Sequence, residues 1–382
     1  MNSQSVWNDF RQKMPITRKW AYFDHAAVAP LPEPSVKNIE TWTNQAMLEG
    51  DDQWPNWAKQ VESLRETSAK LLGAKSEEIA LVHNTTHGIS IVAEGFDWQP
   101  GDNVVLLSNE FPSNLYPWMH LKDRGVEARI VQVTGQKPDL DQIRAAIDSR
   151  TRILSVSWVS YSTGYRLDLP RITQLAHDNG VLLFLDAIQG LGVFPLDVHQ
   201  LDIDFLAADG HKWMLGPEGA GLFYINEQHL DKIRPFGVGW NSVKHNFQFD
   251  KIELDLRESA TRFEGGSQNM VGMLALKASL ELLTECGAGP QVSDVGDRVL
   301  EVTDLACERL QQAGAEIISD RTGESRSGIV VFDMPGKNPV ELRKQCMRNG
   351  VNLSVRAGKL RISPHAYNNA EDIDRLIEQL TA

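Results

Sequence analysis

The chain has 382 residues, of which 42% are hydrophobic and 23% charged, with a formal net charge of −13. That length suits two domains or one large one, and that composition a globular protein of enzyme size. The acidic balance speaks against a nucleic-acid backbone or an anionic membrane as partner, and no stretch is apolar for long enough to span a bilayer.

No charged segment followed by an apolar core opens the chain, so no secretory signal is expected. Cys286, Cys307 and Cys346 are sparse and lack CxxC spacing. They argue for a reducing cytoplasm, with neither a disulfide framework nor a metal site.

Residues 1–20 read as a helix and a connector, and Tyr22-Phe23 as a short strand running into a loop that ends at Pro30. Helical spacing covers 33–73, broken at Pro55 between Trp54 and Trp57, with Gly73 as a C-cap. Apolar runs at 79–82, 103–107, 128–133, 152–157, 181–186, 203–208 and 220–225 read as strands. Helical patterns near 87–96, 113–124, 139–147 and 168–179 lie between several of them. This alternation predicts an α/β fold with a mostly parallel, seven-stranded sheet between helices, and ligands at the carboxyl ends of its strands. A proline-free helix over 268–286 would bridge to an α+β module. That module has helices near 294–313, 339–349 and 370–380 and short strands near 315–318, 328–333, 351–355 and 359–362. The expected large domain is 22–262, and 1–21 with 263–382 form the smaller one.

Two strand ends carry chemistry. Ala208-Asp209-Gly210-His211-Lys212-Trp213 offers a lysine in a glycine-containing turn, and Asp186-Ala187-Ile188-Gln189 puts a carboxylate after the run Val181–Leu185. An amine that condenses with an aldehyde and an acid that holds a protonated ring nitrogen are the two groups that pyridoxal phosphate (PLP) chemistry requires. Each also has a plain reading: Asp186 as a helix cap, Lys212 as a solvated surface residue. Asn84-Thr85-Thr86-His87-Gly88 follows a strand and opens a helix, which is either an anion site or an ordinary N-cap. Phe111 is a ring for stacking on a planar cofactor or a core aromatic. Arg361 is a carboxylate fork or a surface ion pair. Gly190-Leu191-Gly192 lacks the third glycine of a dinucleotide fingerprint. Trp54, Trp57, Trp118 and Trp240 line a pocket or fill cores and interfaces.

In order, Tyr22-Phe23-Asp24-His25-Ala26-Ala27, Asn84-Thr85-Thr86-His87-Gly88, Glu110-Phe111-Pro112-Ser113-Asn114, Asp186-Ala187-Ile188-Gln189-Gly190, Asp209-Gly210-His211-Lys212 and Arg262-Phe263-Glu264-Gly265-Gly266-Ser267 resemble successive motifs of the class V aminotransferase family. This fold-type-I PLP group includes cysteine desulfurases, selenocysteine lyases, isopenicillin N epimerase and kynureninase. The resemblance implies that Lys212 carries PLP and shuttles protons, Asp186 binds the ring nitrogen and Gln189 the ring oxygen. It assigns the phosphate to Thr86, His211 and the backbone near Thr85 and His87, and places Phe111 and Tyr161 against the ring. Ser267 would reach the phosphate of a partner subunit in a homodimer. Arg361 would take the substrate's α-carboxylate, with His25 and Arg356 also on the substrate side.

The departures bear on the reaction. Cysteine desulfurases carry a sulfur-accepting cysteine on a loop after an Arg-x-Gly segment. Here Arg356-Ala357-Gly358 runs straight into Lys359-Leu360-Arg361, and Cys346 falls earlier, in a helical stretch, as a half-buried structural thiol. Relatives often have Asn where Tyr161 falls and Ser or Thr where Asp209 falls. The expected activity is therefore an aminotransferase acting on an amino acid, then a β-eliminating carbon–sulfur lyase, then an epimerase. A non-catalytic binder would need none of Lys212, Asp186 and Arg361.

Overall fold

The structure is a computed structural model that describes residues 3–382; residues 1 and 2 lie outside it. The first third of the chain runs α1 (Ser3–Gln12), β1 (Ala21–Tyr22), α2 (Glu33–Leu48), α3 (Trp54–Leu72), β2 (Ile79–Val82), α4 (Thr85–Gly95), β3 (Asn103–Leu107), α5 (Tyr116–His120) and β4 (Glu127–Val131). It continues with α6 (Leu140–Ala146), β5 (Thr151–Ser157), α7 (Leu169–Asp178), β6 (Leu182–Asp186), β7 (Phe205–Asp209), β8 (Gly221–Ile225) and α8 (Met270–Glu285). It closes with α9 (Asp294–Gln312), β9 (Glu316–Ile317), β10 (Val330–Asp333), α10 (Pro339–Arg348), β11 (Val351–Asn352), β12 (Ser354–Arg356), β13 (Lys359–Ile362) and α11 (Ala370–Thr381). Each of the seven expected apolar runs became a strand. The 113–124 pattern is one short helix flanked by two 3-10 turns, because Pro112 and Pro117 interrupt it.

Seven strands form one sheet in the order β2-β8-β7-β6-β5-β3-β4. The neighbours from β7 through β4 pair in parallel, and β8 runs antiparallel between β2 and β7. Strands β3, β7 and β8 are buried along their whole length, as a sheet covered on both faces requires. The carboxyl ends of β5, β6 and β7 lie side by side, with Ser157 opposite Asp186 and Asp186 opposite Ala207.

Helix α4 lies close over β7. A Cβ on Gly88 would fall 2.6 Å from the Ala207 Cβ, so the bare glycine permits the approach. The Thr85 hydroxyl then accepts the Asp209 amide at 3.0 Å, tying the first turn of α4 to the end of β7.

The edge strand β2 exposes backbone groups on its free side, and a buried ion pair meets them. Arg65 donates to the Ile79 carbonyl at 2.9 Å, Glu264 accepts the Leu81 amide at 2.8 Å, and the two side chains pair with each other. Replacing Glu264 with Ala would leave the Leu81 N–H unpartnered and the buried Arg65 with only the half-exposed side of its fork paired, to Glu62. Chemical denaturation is expected to show a loss of about 3–5 kcal/mol; a loss below 1 kcal/mol would mean that the edge is held by something else.

The C-terminal module differs from the expected domain plan. Helix α8, read from sequence as the bridge, packs against α2 and α3, and Met273, Leu276 and Leu283 belong to the large core. Helix α9 makes the crossing instead. Val295 and Val299 enter the large core, while Val302, Ala306 and Leu310 pack with β10 and β13 in the small one. The border expected at residue 22 also moves. Strand β1 pairs with β11, Phe23 packs in the small core, and Asp24 bridges to Ser363. Amphipathic spacing shows that a helix has an apolar face, but not which core that face meets. No helix among the described residues is long and apolar enough to cross a membrane.

Candidate active site

A 270 Å³ cleft opens at the carboxyl ends of β5, β6 and β7 and is closed on its far side by β12 and β13. Thr85, Thr86, Phe111, Tyr161, Asp186, Gln189, His211, Lys212, Arg356 and Arg361 all line it. A larger hollow of 870 Å³ lies beside α1, around Arg11, Lys13 and Glu33, and gathers none of these groups.

Asp186 is the last residue of β6 and is 2% exposed. One of its oxygens accepts the Ile188 amide at 3.1 Å. Burial pushes its pKa up to about 6, against the pull of that amide and of Lys212. Lys212 sits three residues past the end of β7, in a turn held by the Gly210 and Gly216 amides, which donate to Ala220 and Gly210. A Cβ at Gly210 would meet the Ala220 carbonyl oxygen at 2.6 Å, so only glycine fits there. Lys212 is 8% exposed, and its pKa falls to about 8. Burial is the main cause; Arg361 and Arg356 lower it further, and Asp186 and Asp209 oppose them. The Nζ lies 5.6 Å from the centre of the Phe111 ring, against which Tyr161 packs edge-on. Phe111 is 43% exposed, so it is a wall of the cleft and not a core aromatic.

Gln189 is held at both ends. The Trp213 indole N–H donates to its Oε1 at 2.8 Å, and its Nε2 donates to the Ala26 carbonyl at 3.0 Å. An indole nitrogen only donates, so the amide has one orientation, and the second N–H on Nε2 is left for the cleft.

At the other end of the cleft, Asn84 caps α4, accepting the His87 amide at 2.9 Å. Thr85 and Thr86 supply first-turn amides that have no partner within the helix. His211 Nδ1 lies 2.9 Å from one Asp209 oxygen, at an angle that makes no hydrogen bond. That nitrogen and Asp209 Oδ1 are buried without a hydrogen-bond partner.

Arg361 is buried, which rules out a surface ion pair. Its Nε donates to Ser354 Oγ at 3.1 Å, Nη1 to the Tyr161 carbonyl at 2.8 Å and Nη2 to Asp24 at 3.1 Å. Asp24 also accepts the Ser354 hydroxyl at 2.9 Å.

Two expected site residues, His25 and His87, fall elsewhere, and Ser267, expected in a partner subunit's site, lies apart from this chain's own cleft. His25 is fully buried outside the lining. Its ring nitrogens meet the Ser363 carbonyl and the Tyr367 hydroxyl, each at 2.8 Å, which leaves nothing for a substrate. Burial, then the neighbouring His365, holds its pKa well below the usual imidazole range. The His87 amide is spent on the Asn84 cap, and its ring stacks on His83. Ser267 lies in a separate 390 Å³ hollow with Trp54 and Trp240. Trp57 and Trp118 are buried in the cores, so none of the four candidate tryptophans lines the Lys212 cleft.

Glu110 has no role in the sequence reading, although it opens the motif Glu110-Phe111-Pro112-Ser113-Asn114. It is buried behind the cleft, accepting from the Ser157 amide and hydroxyl and from Asn114. Burial raises its pKa to about 7, against those hydrogen bonds and with a smaller push from Asp186. Asp24, the acid facing Arg361, was passed over too. A carboxylate within two residues of an expected site histidine was the only available hint.

A buried acid, a buried amine and a helix N-terminus thus face one cleft. PLP fits this set: an acid for the ring nitrogen, an amine for the aldehyde, and first-turn amides beside the unpartnered His211 Nδ1 for the phosphate, with the Asp209 carboxylate as the one group there that repels it.

The profile of the family described as Aminotransferase class-V matches residues 21–376. A probable cysteine desulfurase of Methanothermobacter thermautotrophicus is 29% identical, over 97% of this chain and 96% of that protein. The cysteine desulfurase CsdA of Escherichia coli is 28% identical, over 96% of this chain and 95% of that one. A crystal structure of CsdA superposes with a TM-score of 0.85 at 26% identity, over 98% of this chain and 97% of that one. A cystine C–S lyase, C-DES, solved with its product cysteine persulfide, shares the fold with a TM-score of 0.87 at 22% identity, over 96% of this chain and 99% of that one. The chain belongs to the class-V aminotransferase family and is a pyridoxal-phosphate-dependent enzyme.

Proposed function

We propose that the enzyme acts on an α-amino acid and that its reaction is transamination, with Lys212 as the covalent attachment point and proton carrier. Bound PLP supplies an electron sink for the charge left when the α-proton departs. Asp186 would hold the ring nitrogen, Gln189 Nε2 would face the ring oxygen, and Phe111 would bound the ring. Thr85, Thr86 and His211 would receive the phosphate, and Arg361 the substrate's α-carboxylate. Lys212 suits the proton step because burial and two nearby arginines bring its pKa to about 8, where a useful fraction is neutral near neutral pH.

What separates this reading from desulfuration is the lack of a thiol in the cleft. Cys286, Cys307 and Cys346 are all buried, with pKa values pushed up to about 11, chiefly by burial, and none lines the cleft. Cys346 is buried outright, not half-buried. Where a cysteine-bearing loop would stand, β12 and β13 join through the two residues Ala357 and Gly358, both at positive φ.

β-Elimination is the second reading. It needs the same groups up to loss of the α-proton and equally requires no protein thiol. Mass spectrometry of products from an amino-acid panel with 2-oxo acid acceptors distinguishes them. An amino group moved to the acceptor supports transamination, pyruvate with sulfide from cysteine supports elimination, and inverted substrate without other products supports epimerisation. A persulfide on the protein would overturn all three.

We further propose a cytoplasmic homodimer. Beside the hollow that holds Ser267, Phe247, Phe249, Ile252 and Leu254 are exposed, an apolar surface suited to a second copy. Ser267 would then reach the partner's phosphate end. Sedimentation is expected to give a dimer at micromolar concentration; a monomer would remove the shared site.

A further inference from the structure

Strands β12 and β13 are two-faced. Leu353, Leu360 and Ile362 point into the small core. On the opposite face Ser354 stands beside Arg361 and Arg356 beside Lys359, in antiparallel register. Three cations thus share that face. Lys359 pairs with Asp333, and Arg361 pairs with Asp24. Arg356 is half-buried, lines the cleft, and pairs with no acid among the described residues. Its one hydrogen bond goes from Nη1 to the adjacent Val355 carbonyl, at 3.0 Å. A guanidinium has five N–H donors, so most of this fork is unspent.

The turn keeps Arg356 in place. Ala357 holds φ +48°, which a residue with a Cβ rarely adopts, and Gly358 holds φ +75°. Two residues with fixed positive φ leave no loop to carry the side chain away. Arg361, by contrast, has already committed a donor each to Ser354, Tyr161 and Asp24, which leaves it room for one carboxylate. Both guanidiniums disfavour the charged form of Lys212, and each lies within the other's field. A second anion is what would relieve that repulsion.

We propose that the cleft takes an α-amino acid whose side chain ends in a second carboxylate, with Arg361 receiving the α-carboxylate and Arg356 the distal one. This deepens the amino-acid reading above and rests on it. Val159, Phe111 and Tyr161 provide the wall for its methylene groups.

The test compares each acid with its neutral isostere on the holoenzyme. The ratio of kcat/KM for glutamate over glutamine, and for aspartate over asparagine, should exceed one in the wild type. It should fall about 10- to 100-fold in Arg356→Gln, the worth of a charge-assisted hydrogen bond. Arg356→Lys should retain part of the ratio, since it keeps the charge and loses the fork. Calorimetry with succinate, which has no amine to react, should show binding weakened over the same range in Arg356→Gln. A ratio that does not move would mean that Arg356 joins Arg361 on the α-carboxylate, and it would overturn the proposal. So would a wild type that handles the amides as well as the acids. If other amino acids change the visible band of the holoenzyme and the acids do not, the inference fails alone. If none changes it, the amino-acid reading fails and takes the inference with it.

Discussion

Lys212→Ala is expected to abolish covalent attachment of the coenzyme and to lower turnover by on the order of 10⁴-fold or more, because in the proposed reaction one residue would serve as both tether and general base. Borohydride should fix the coenzyme on the wild-type peptide that contains Lys212 and on no peptide of the variant. The wild type adds a pH signature. Only the neutral amine attacks an aldehyde, and burial, seconded by Arg361 and Arg356, lowers this lysine from its usual 10.5 to about 8. Capture of PLP by the apoenzyme should therefore quicken about tenfold per pH unit up to about 8 and level off above it. A solvated lysine would go on rising for about two more units. A variant that still carried reducible coenzyme and turned over at the wild-type rate would end the assignment.

Asp186→Asn separates charge from shape and moves activity and stability in opposite directions. A hydrogen-bonded ion pair at about 3 Å in an effective dielectric of ~20 is worth about 5 kcal/mol before desolvation. Losing the charge should cost roughly 10²- to 10⁴-fold in kcat. The apoenzyme should respond the other way. The folded-state pKa of this carboxyl is raised to about 6, from about 3.9 in an unfolded chain. The protonated acid is thus favoured in the fold, and its contribution is complete below pH ~3.9. That contribution is lost as pH rises to about 6, and above that the wild type bears the whole burden of a buried charge. Asn bears none, so at pH 7 the apo-variant should be more stable by about 3 kcal/mol. Wild-type kcat in the variant would remove Asp186 from the chemistry. An apo-variant less stable than the wild type would mean that the cleft already balances the charge.

Much of the fold could be read locally. The runs Asn103–Leu107 and Phe205–Asp209 are apolar without alternation because both faces of their strands are covered, and that cause lies within a few residues of its effect. Gly73 ends α3 at φ +64°, as its position after the last apolar residue suggested. The misreadings concern partners far away in the chain. The long proline-free pattern of α8 reads as the bridge, yet the crossing is made by α9, whose apolar face changes cores part-way along. The resemblance alone puts His25 on the substrate side. Its ring nitrogens are taken by Ser363 and Tyr367, more than 330 positions on, and no spacing near His25 encodes that.

The sequence by itself determined the strand–helix alternation, the placement of Asp186 and Lys212 just past strand ends, and with them the family and the coenzyme. The alternation and the strand ends follow from hydrophobic periodicity and turn chemistry, which act between near neighbours; the family and the coenzyme follow from the resemblance that the ordered motifs carry. Only the tertiary structure decided which candidates meet. It brought Asp24 to Arg361, left Arg356 without an acid among the described residues, moved His25 into a core and set Ser267 apart from the cleft. Those outcomes depend on how β1, β12 and β13 assemble across most of the chain's length, where no local preference constrains the pairing.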